Sequence, residues 1–253
     1  MTRSPPSPGL AQERTGRHSG GRPTKADADP AGAPAGGTGQ CPTDPDHDCS
    51  LCPRLRDFIL DNRHKHPDWH NGPVRTWHPP EGADRARLLV VGLAPGLRGA
   101  NRTGIPFTGD QSGELLYATL QHHGLAGAAP GTGDGLRLAG VSITNAVRCV
   151  PPGNRPTGAE ITTCRPFLSA TIERLCNLEV ILTLGKIAHD STVRALGEKP
   201  VHHPFGHGAE TRIGNVLILS SYHCSRYNIN TGRLTGDMFD AVIGAAVRRL
   251  SER

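Results

Sequence analysis

Aromatic side chains are scarce in this chain of 253 residues: Phe, Tyr and Trp together make up 4%. Glycine (32) and proline (22) are abundant instead. Such a composition needs long ordered loops, a disordered part, or both. No apolar run approaches the length of a membrane span. The first residues, MTRSPPSPGLAQERTG, lack the apolar core of a secretory signal, so a cytoplasmic protein with no membrane partner is expected. Also missing are a G-x-S-x-G nucleophile elbow, a Walker A loop and a GxGxxG fingerprint. Their absence removes support for a second alternative, a zinc-stabilised α/β hydrolase or a nucleotide-binding protein.

Positive charge is present in excess, with a net +5 and a pI near 9.0. A basic protein of this size commonly meets an anion, and nucleic acid is the first candidate. The seven cysteines are expected to be free thiols or metal ligands, because a cytosolic chain rarely carries a disulfide framework.

Residues 1–39 are Pro, Gly, Ala, Ser and charge. They cannot bury enough apolar surface to offset their ordering entropy and are expected to form a disordered tail. Residues 40–253 are expected to form one domain. Its organising stretch is Val90 to Leu116, VVGLAPGLRGANRTGIPFTGDQSGELL. A short apolar run ends at Gly92, a loop dense in polar groups follows, and a helical pattern begins near Ser112. Further strands are expected over Leu138–Val147, Val180–Leu184 and Val216–Ser220. Thr157-x-x-Glu160 has the form of a capping box opening a helix. Pro166 in that helix fits its early turns or kinks it. The last helix lines up Phe239, Val242, Ile243, Ala246, Val247 and Leu250 on one face. Strands alternating with helices predict a three-layer α/β/α sandwich with a mainly parallel sheet. Trp69 and Trp77 are expected to pack the irregular 64–80 stretch onto that core.

Cys49-x-x-Cys52 forms one cysteine pair, and Cys149 with Cys164 a second. Four thiolates suit a structural zinc or an iron–sulfur cluster, and spacing alone leaves both open. Cys41 is an outsider by its spacing, and Cys176 reads as core.

Three loops follow strand ends: GLAPGLRGANRTGIPFTGD, SITNAVRCVPPGNRPT and SSYHCSRYNINTGRLT. With the four cysteines, they resemble the uracil-DNA glycosylase superfamily, and within it the iron–sulfur branch called family 5, or type B. The type A branch has GEAPG where this chain has GLAPG, with Leu93 in the acidic position. The resemblance implies a uracil-DNA glycosylase-like sandwich with a 4Fe–4S cluster on Cys49, Cys52, Cys149 and Cys164. It implies a monomeric, monofunctional enzyme that flips uracil, and hypoxanthine or other deaminated bases, out of DNA and hydrolyses the N-glycosidic bond in base excision repair. A non-catalytic iron–sulfur module that binds DNA lesions is the first alternative.

On this reading Gly92, Leu93, Ala94, Phe107 and Asn145 form the base pocket. Phe107 stacks on the base, and Asn145 pairs with its edge through an amide that both donates and accepts. His223 donates a hydrogen bond to the departing base. Many uracil glycosylases position water with an Asp where this chain has Ala94, an absence that family 5 shares. Asn101 is favoured for that role, with Asp110 second. Cys224 replaces the usual Pro of the His-Pro-Ser motif, an exchange expected to loosen the loop. Arg102, Arg148, Arg155, Ser225, Arg226 and Arg233 are expected to contact DNA, with Arg226 and Tyr227 as a wedge.

Overall fold

The computed structural model describes residues 43–128 and 136–252. The expected tail, Cys41 and residues 129–135 of the glycine-rich loop lie outside the described residues. The chain opens with α1 (Pro53–Lys65), whose first position is a proline. The missing N–H is harmless there. The wholly buried β1 (Leu88–Gly92) follows, then the single turn α2 (Ala100–Thr103) and α3 (Gln111–His122). The short β2 (Ala126–Ala128) and β3 (Leu136–Leu138) pair antiparallel, apart from the main sheet. Then come β4 (Val141–Asn145), α4 (Gly158–Arg174), β5 (Val180–Leu184) and α5 (Lys186–Ala195). The chain finishes with β6 (Glu210–Ile213), β7 (Val216–Ser221), α6 (Arg226–Asn230) and α7 (Gly236–Ser251).

The main sheet has the order β4-β1-β5-β7-β6. Its first four strands run parallel, and β6 runs antiparallel to β7 at one edge. Strand side chains alternate between faces. Leu88 and Val90 therefore enter one core with Leu116 and Leu120 of α3 and Phe239 and Ile243 of α7. Leu89 and Val91 enter the opposite core with Leu168 and Ile172 of α4 and Ala188 of α5. This is the expected sandwich of three layers. A third, smaller core joins α1, through Leu55 and Ile59, to Val147, Val150 and Phe167.

Several details differ from the sequence reading. The expected strand Leu138–Val147 is broken at Gly140, which takes a φ of 66° in the left-handed region. Its first residue, Leu138, joins the small hairpin, and only Val141–Asn145 enters the main sheet. β6 has no apolar run to announce it, because ETRI sits half-exposed at an edge. Trp77 packs on the core, edge-on to Tyr117 at 5.9 Å, whereas Trp69 stacks on His66 at 3.9 Å. Cys176 is exposed rather than core. The capping box at Thr157 and Glu160 is formed. Pro166 sits in the middle of α4, with its ring on the exposed face. Thr162, whose carbonyl the proline leaves without an amide, lies on the same face.

Arg148 is the largest correction. It is fully buried, so it cannot meet a phosphate. Its guanidinium donates to the hydroxyls of Thr76 and Thr171 (2.8 Å each) and Thr144, and to the carbonyl of Thr43 at 3.3 Å. Asp44 Oδ1 lies 3.4 Å away. The Arg148 carbonyl accepts from Val74 at 2.8 Å. One side chain thus joins the entering segment, the stretch before β1, β4 and α4. Removing one partner of a buried ion pair typically costs about 3–5 kcal/mol, because the other is left uncompensated. Arg148→Ala is expected to lose about that much unfolding free energy in urea titrations; a loss below about 1 kcal/mol, the scale of an exposed pair, would contradict this account.

Candidate active site

Parallel α/β sheets bind ligands beyond the carboxyl ends of their strands. Here the ends of β1, β4 and β7 carry Gly92, Asn145 and the loop holding His223. Beyond these strand ends lies a cleft of about 320 Å³, lined among others by Leu93, Ala94, Phe107, Asp110, Asn145 and His223, with Gly92 just behind the lining. That size suits a small ring.

The cleft floor depends on two close approaches. A Cβ at Gly92 would lie 2.4 Å from Phe107 Cζ and 2.5 Å from Asn145 Oδ1. A Cβ at Gly113, in the first turn of α3, would lie 1.6 Å from the Phe107 carbonyl oxygen. Phe107 itself has a φ of 56°, a strained conformation for an aromatic residue that its surroundings must hold. The Tyr117 hydroxyl donates to the Pro106 carbonyl at 2.6 Å, and the Thr108 hydroxyl donates to the Ile105 carbonyl at 2.9 Å. Phe107 and His223 face one another as stacked rings, with centroids 6.1 Å apart and planes 26° off parallel.

Two buried polar atoms on the cleft have no partner: Asn145 Oδ1 and His223 Nδ1. Buried polar atoms are nearly always satisfied, so an unpaired pair facing one cleft calls for a ligand. Burial holds the His223 imidazole below its ordinary pKa, with the Asp110 charge opposing in part. The ring is neutral at pH 7, with one nitrogen to donate and one to accept. The loop carrying it is not loose. Asn228 Nδ2 donates to the His223 carbonyl at 2.8 Å. Cys224 is buried and its thiol pKa is pushed up to about 12. Its S–H donates to the Ser112 carbonyl at 3.4 Å, tying the loop to the start of α3.

Asp110 lines the cleft and Asn101 does not. Asp110 Oδ1 caps α3 by accepting from the Gly113 amide at 3.1 Å. Its Oδ2 faces Gly96 and Gly99, where a Cβ would come within 3.0 and 2.5 Å. Asn101 is fully buried in α2, with its amide nitrogen donating to Asn71 Oδ1 at 2.9 Å and its own Oδ1 unpaired. Of the two residues expected to hold water, Asp110 is therefore the one placed on the cleft.

Arg102, Arg155, Arg226 and Arg233 are all exposed. The first three adjoin stretches that line the cleft. Arg226 donates to Gln111 Oε1 at 2.6 Å, and Arg233 lies over the Tyr222 ring at 4.7 Å. Ser225 lines the cleft and caps α6. Tyr227 is 72% exposed beside it. The sequence reading missed Asn154 and Ser112, which also line the cleft. Asn154 reaches it through two consecutive left-handed residues, Gly153 (φ 62°) and Asn154 (φ 56°). The signal available was the Pro-Pro-Gly-Asn turn signature.

Cys49, Cys52, Cys149 and Cys164 border one further cavity, together with Leu55, Val147 and Phe167. Burial raises the pKa of Cys149 and Cys164 and takes Cys52 to about 11. As free thiols they would stay protonated; a cationic centre would draw the protons off. The Arg148 amide donates to Cys164 Sγ at 3.3 Å, the kind of bond a ligating sulfur accepts. The donor set fits a thiolate-bound metal centre.

The family model described as the Uracil DNA glycosylase superfamily matches residues 79–246. The type-5 uracil-DNA glycosylase of Thermus thermophilus is 42% identical over 208 residues, covering 79% of this chain and 93% of that protein. That of Mycobacterium bovis is 41% identical over 210 residues, covering 78% and 76%. That of Pyrobaculum aerophilum is 36% identical over 204 residues, covering 78% and 87%.

The buried neutral state of His223 has a measurable consequence. Its folded pKa lies below the unfolded value of 6.5. Its contribution to stability is therefore complete above pH 6.5 and is lost as pH falls through the folded pKa. The unfolding free energy of the wild type, minus that of His223→Gln, should fall on going from about pH 7.5 to 5, with a slope of at most about 1.4 kcal/mol per unit. A flat difference would show that the imidazole is not held neutral.

Proposed function

The chain belongs to the type-5 uracil-DNA glycosylases of the Uracil DNA glycosylase superfamily, and from that premise we propose that it excises uracil from DNA at the cleft between β1, β4 and β7. The observation that carries this reading is the pair of unsatisfied atoms, Asn145 Oδ1 and His223 Nδ1, beside the Phe107 ring. The relatives are named as glycosylases, and nothing favours a module that binds without cutting.

Uracil in a duplex must leave the stack to be reached. The face of Phe107 receives the flipped ring. Asn145 accepts from the uracil N3–H through Oδ1 and donates to O4 through Nδ2. A base with the opposite edge pattern would leave both groups buried and unpaired, which is a strong basis for rejection. The N1–C1′ bond then breaks with its electron pair going to the base, leaving positive charge on the sugar. Neutral His223 donates a hydrogen bond to O2 of the forming anion, so the donor is in place before the charge appears. Asp110 supports the sugar cation by its charge and orients the water that adds to C1′. Its carboxylate accepts the proton the water sheds and releases it to solvent, the departing base anion takes up a proton from solvent, and the products are the free base and an abasic site. Arg102, Arg155, Arg226, Arg233 and Ser225 hold the backbone, and exposed Tyr227 fills the vacated stack. The open cleft also admits hypoxanthine and other deaminated bases.

The four cysteines hold a 4Fe–4S cluster on this reading. When bound it supplies no redox step and acts as a staple between the segment before α1 and the insert that carries Asn154. The spacing of the sulfurs supports it over zinc. Zinc–sulfur bonds near 2.3 Å would bring four sulfurs within about 4 Å of one another. Here no three of these thiols are grouped within 4.8 Å. Anaerobically purified protein should contain iron and acid-labile sulfide, and Cys149→Ala should lose both together with its visible absorbance; stoichiometric zinc instead would overturn the assignment. The enzyme is expected to work as a cytoplasmic monomer.

Single-turnover excision from duplex DNA bearing one uracil tests the residue roles. His223→Ala should slow excision by about 10²–10³-fold, the usual cost of one such donor. Asp110→Asn keeps the helix cap and removes the charge, and it should lose more activity than Asn101→Ala. Unchanged excision in His223→Ala would sink this mechanism, and a greater loss in Asn101→Ala would restore Asn101 to the water.

A further inference from the structure

We propose that His122, His123 and Asp240 form a binding site for one zinc-type divalent cation, which pins the end of α3 to α7. Among the described residues, they are the one group of three or more His, Cys, Asp or Glu whose ligand atoms all lie within 4.8 Å of each other. His123 Nε2 stands 3.0 Å from Asp240 Oδ1, and His122 Nε2 stands 4.0 Å from the same oxygen. Imidazole and carboxylate ligands sit about 2.0–2.2 Å from zinc, so tetrahedral ligand atoms are about 3.3–3.5 Å apart. The two observed separations bracket that value. His122 and Asp240 are solvent-facing, with side chains 71% and 45% exposed, so small rotations close the remaining gap.

Three further features suit a cation here. The α3 helix ends at His122, and a helix carboxyl end carries partial negative charge. The α7 helix is notched for the His123 ring. Gly244, one turn beyond Asp240, is buried, and a Cβ there would come within 3.1 Å of His123 Cε1. His123 is seated, with its side chain 18% exposed, so one ligand is already oriented. Arg248 also approaches Gly244; its charge opposes a cation and sets the affinity below that of a fully dedicated site. Two imidazoles and a carboxylate with an open fourth position favour zinc, nickel or copper over magnesium or calcium. The site lies at the opposite end of α3 from Asp110, outside the cleft, so its role is structural.

Zinc chloride titrated into cluster-loaded, full-length protein is the test, read by calorimetry and by the melting temperature. The wild type should bind one equivalent more tightly than the variants and melt several degrees higher with zinc. His122→Ala removes an exposed ring. Asp240→Asn keeps a hydrogen-bond partner for His123. Neither should unfold the protein, and each should weaken this zinc site about tenfold or more and abolish the zinc-dependent rise in melting temperature. Uracil excision without zinc should be unchanged in both. Equal zinc binding and equal melting shifts in the wild type and both variants would assign any zinc to the thiols and overturn the proposal.

Discussion

A buried guanidinium holds this molecule together where its two most specialised regions meet. Arg148 lies three residues beyond Asn145, so the strand end that offers an amide to the cleft also carries a fully desolvated cation. Such a charge is tolerated only when its donors are mostly matched and a counter-charge is near; here both terminal nitrogens are paired and Nε alone is not. Three threonine hydroxyls, one carbonyl and Asp44 meet that demand, and they come from segments far apart in the chain. The same residue's amide meets Cys164. The strand that ends in Asn145 and the thiol cavity are therefore positioned by one knot. A shift in either is felt at the other, without any need for the two to exchange charge.

The cleft shows where the fold accepts strain. Phe107 adopts a left-handed backbone, and two glycines leave the space its ring and carbonyl occupy. Asn145 and His223 give up hydrogen bonds that their burial would normally require. These costs sit together at the end of an otherwise regular sheet, whose fully buried β1 and β4 can carry them. Asp110 combines two roles: one oxygen finishes a helix, and the other remains free over a glycine-lined gap. The cap fixes the carboxylate in place, and so makes it a better orienting group than a freely rotating side chain.

Much of this was legible in the sequence, and the rest for definite reasons had to wait. The apolar run LLVV and the Thr157–Glu160 capping box are local patterns, and both elements form as read. The three strand-end loops and four cysteines are ordered signatures, and they led to the right family. Arg148 was misplaced because an arginine next to a site resembles a phosphate ligand. Only the convergence of Thr43, Thr76, Thr144 and Thr171 reveals otherwise, and that convergence is purely tertiary. Asn101 looked like a loop residue free to hold water, but Asn71, thirty residues earlier in the chain, takes its amide donor. Cys224 was read as a lost proline; its burial and its sulfur hydrogen bond depend on where α3 begins. Asn154 needed two successive positive φ angles that no spacing rule conveys.

The strand order bears on how the molecule comes to exist. β1 lies between β4 and β5, and both of these follow it in the sequence. A chain emerging from the ribosome presents Leu88–Gly92, apolar on both faces and with both backbone edges open, well before either neighbour has been made. Parallel pairing over such separations is slow. During that interval the nascent segment is a sticky, unpaired strand. Transiently exposed apolar strands of this kind are where aggregation competes with folding and where chaperones act.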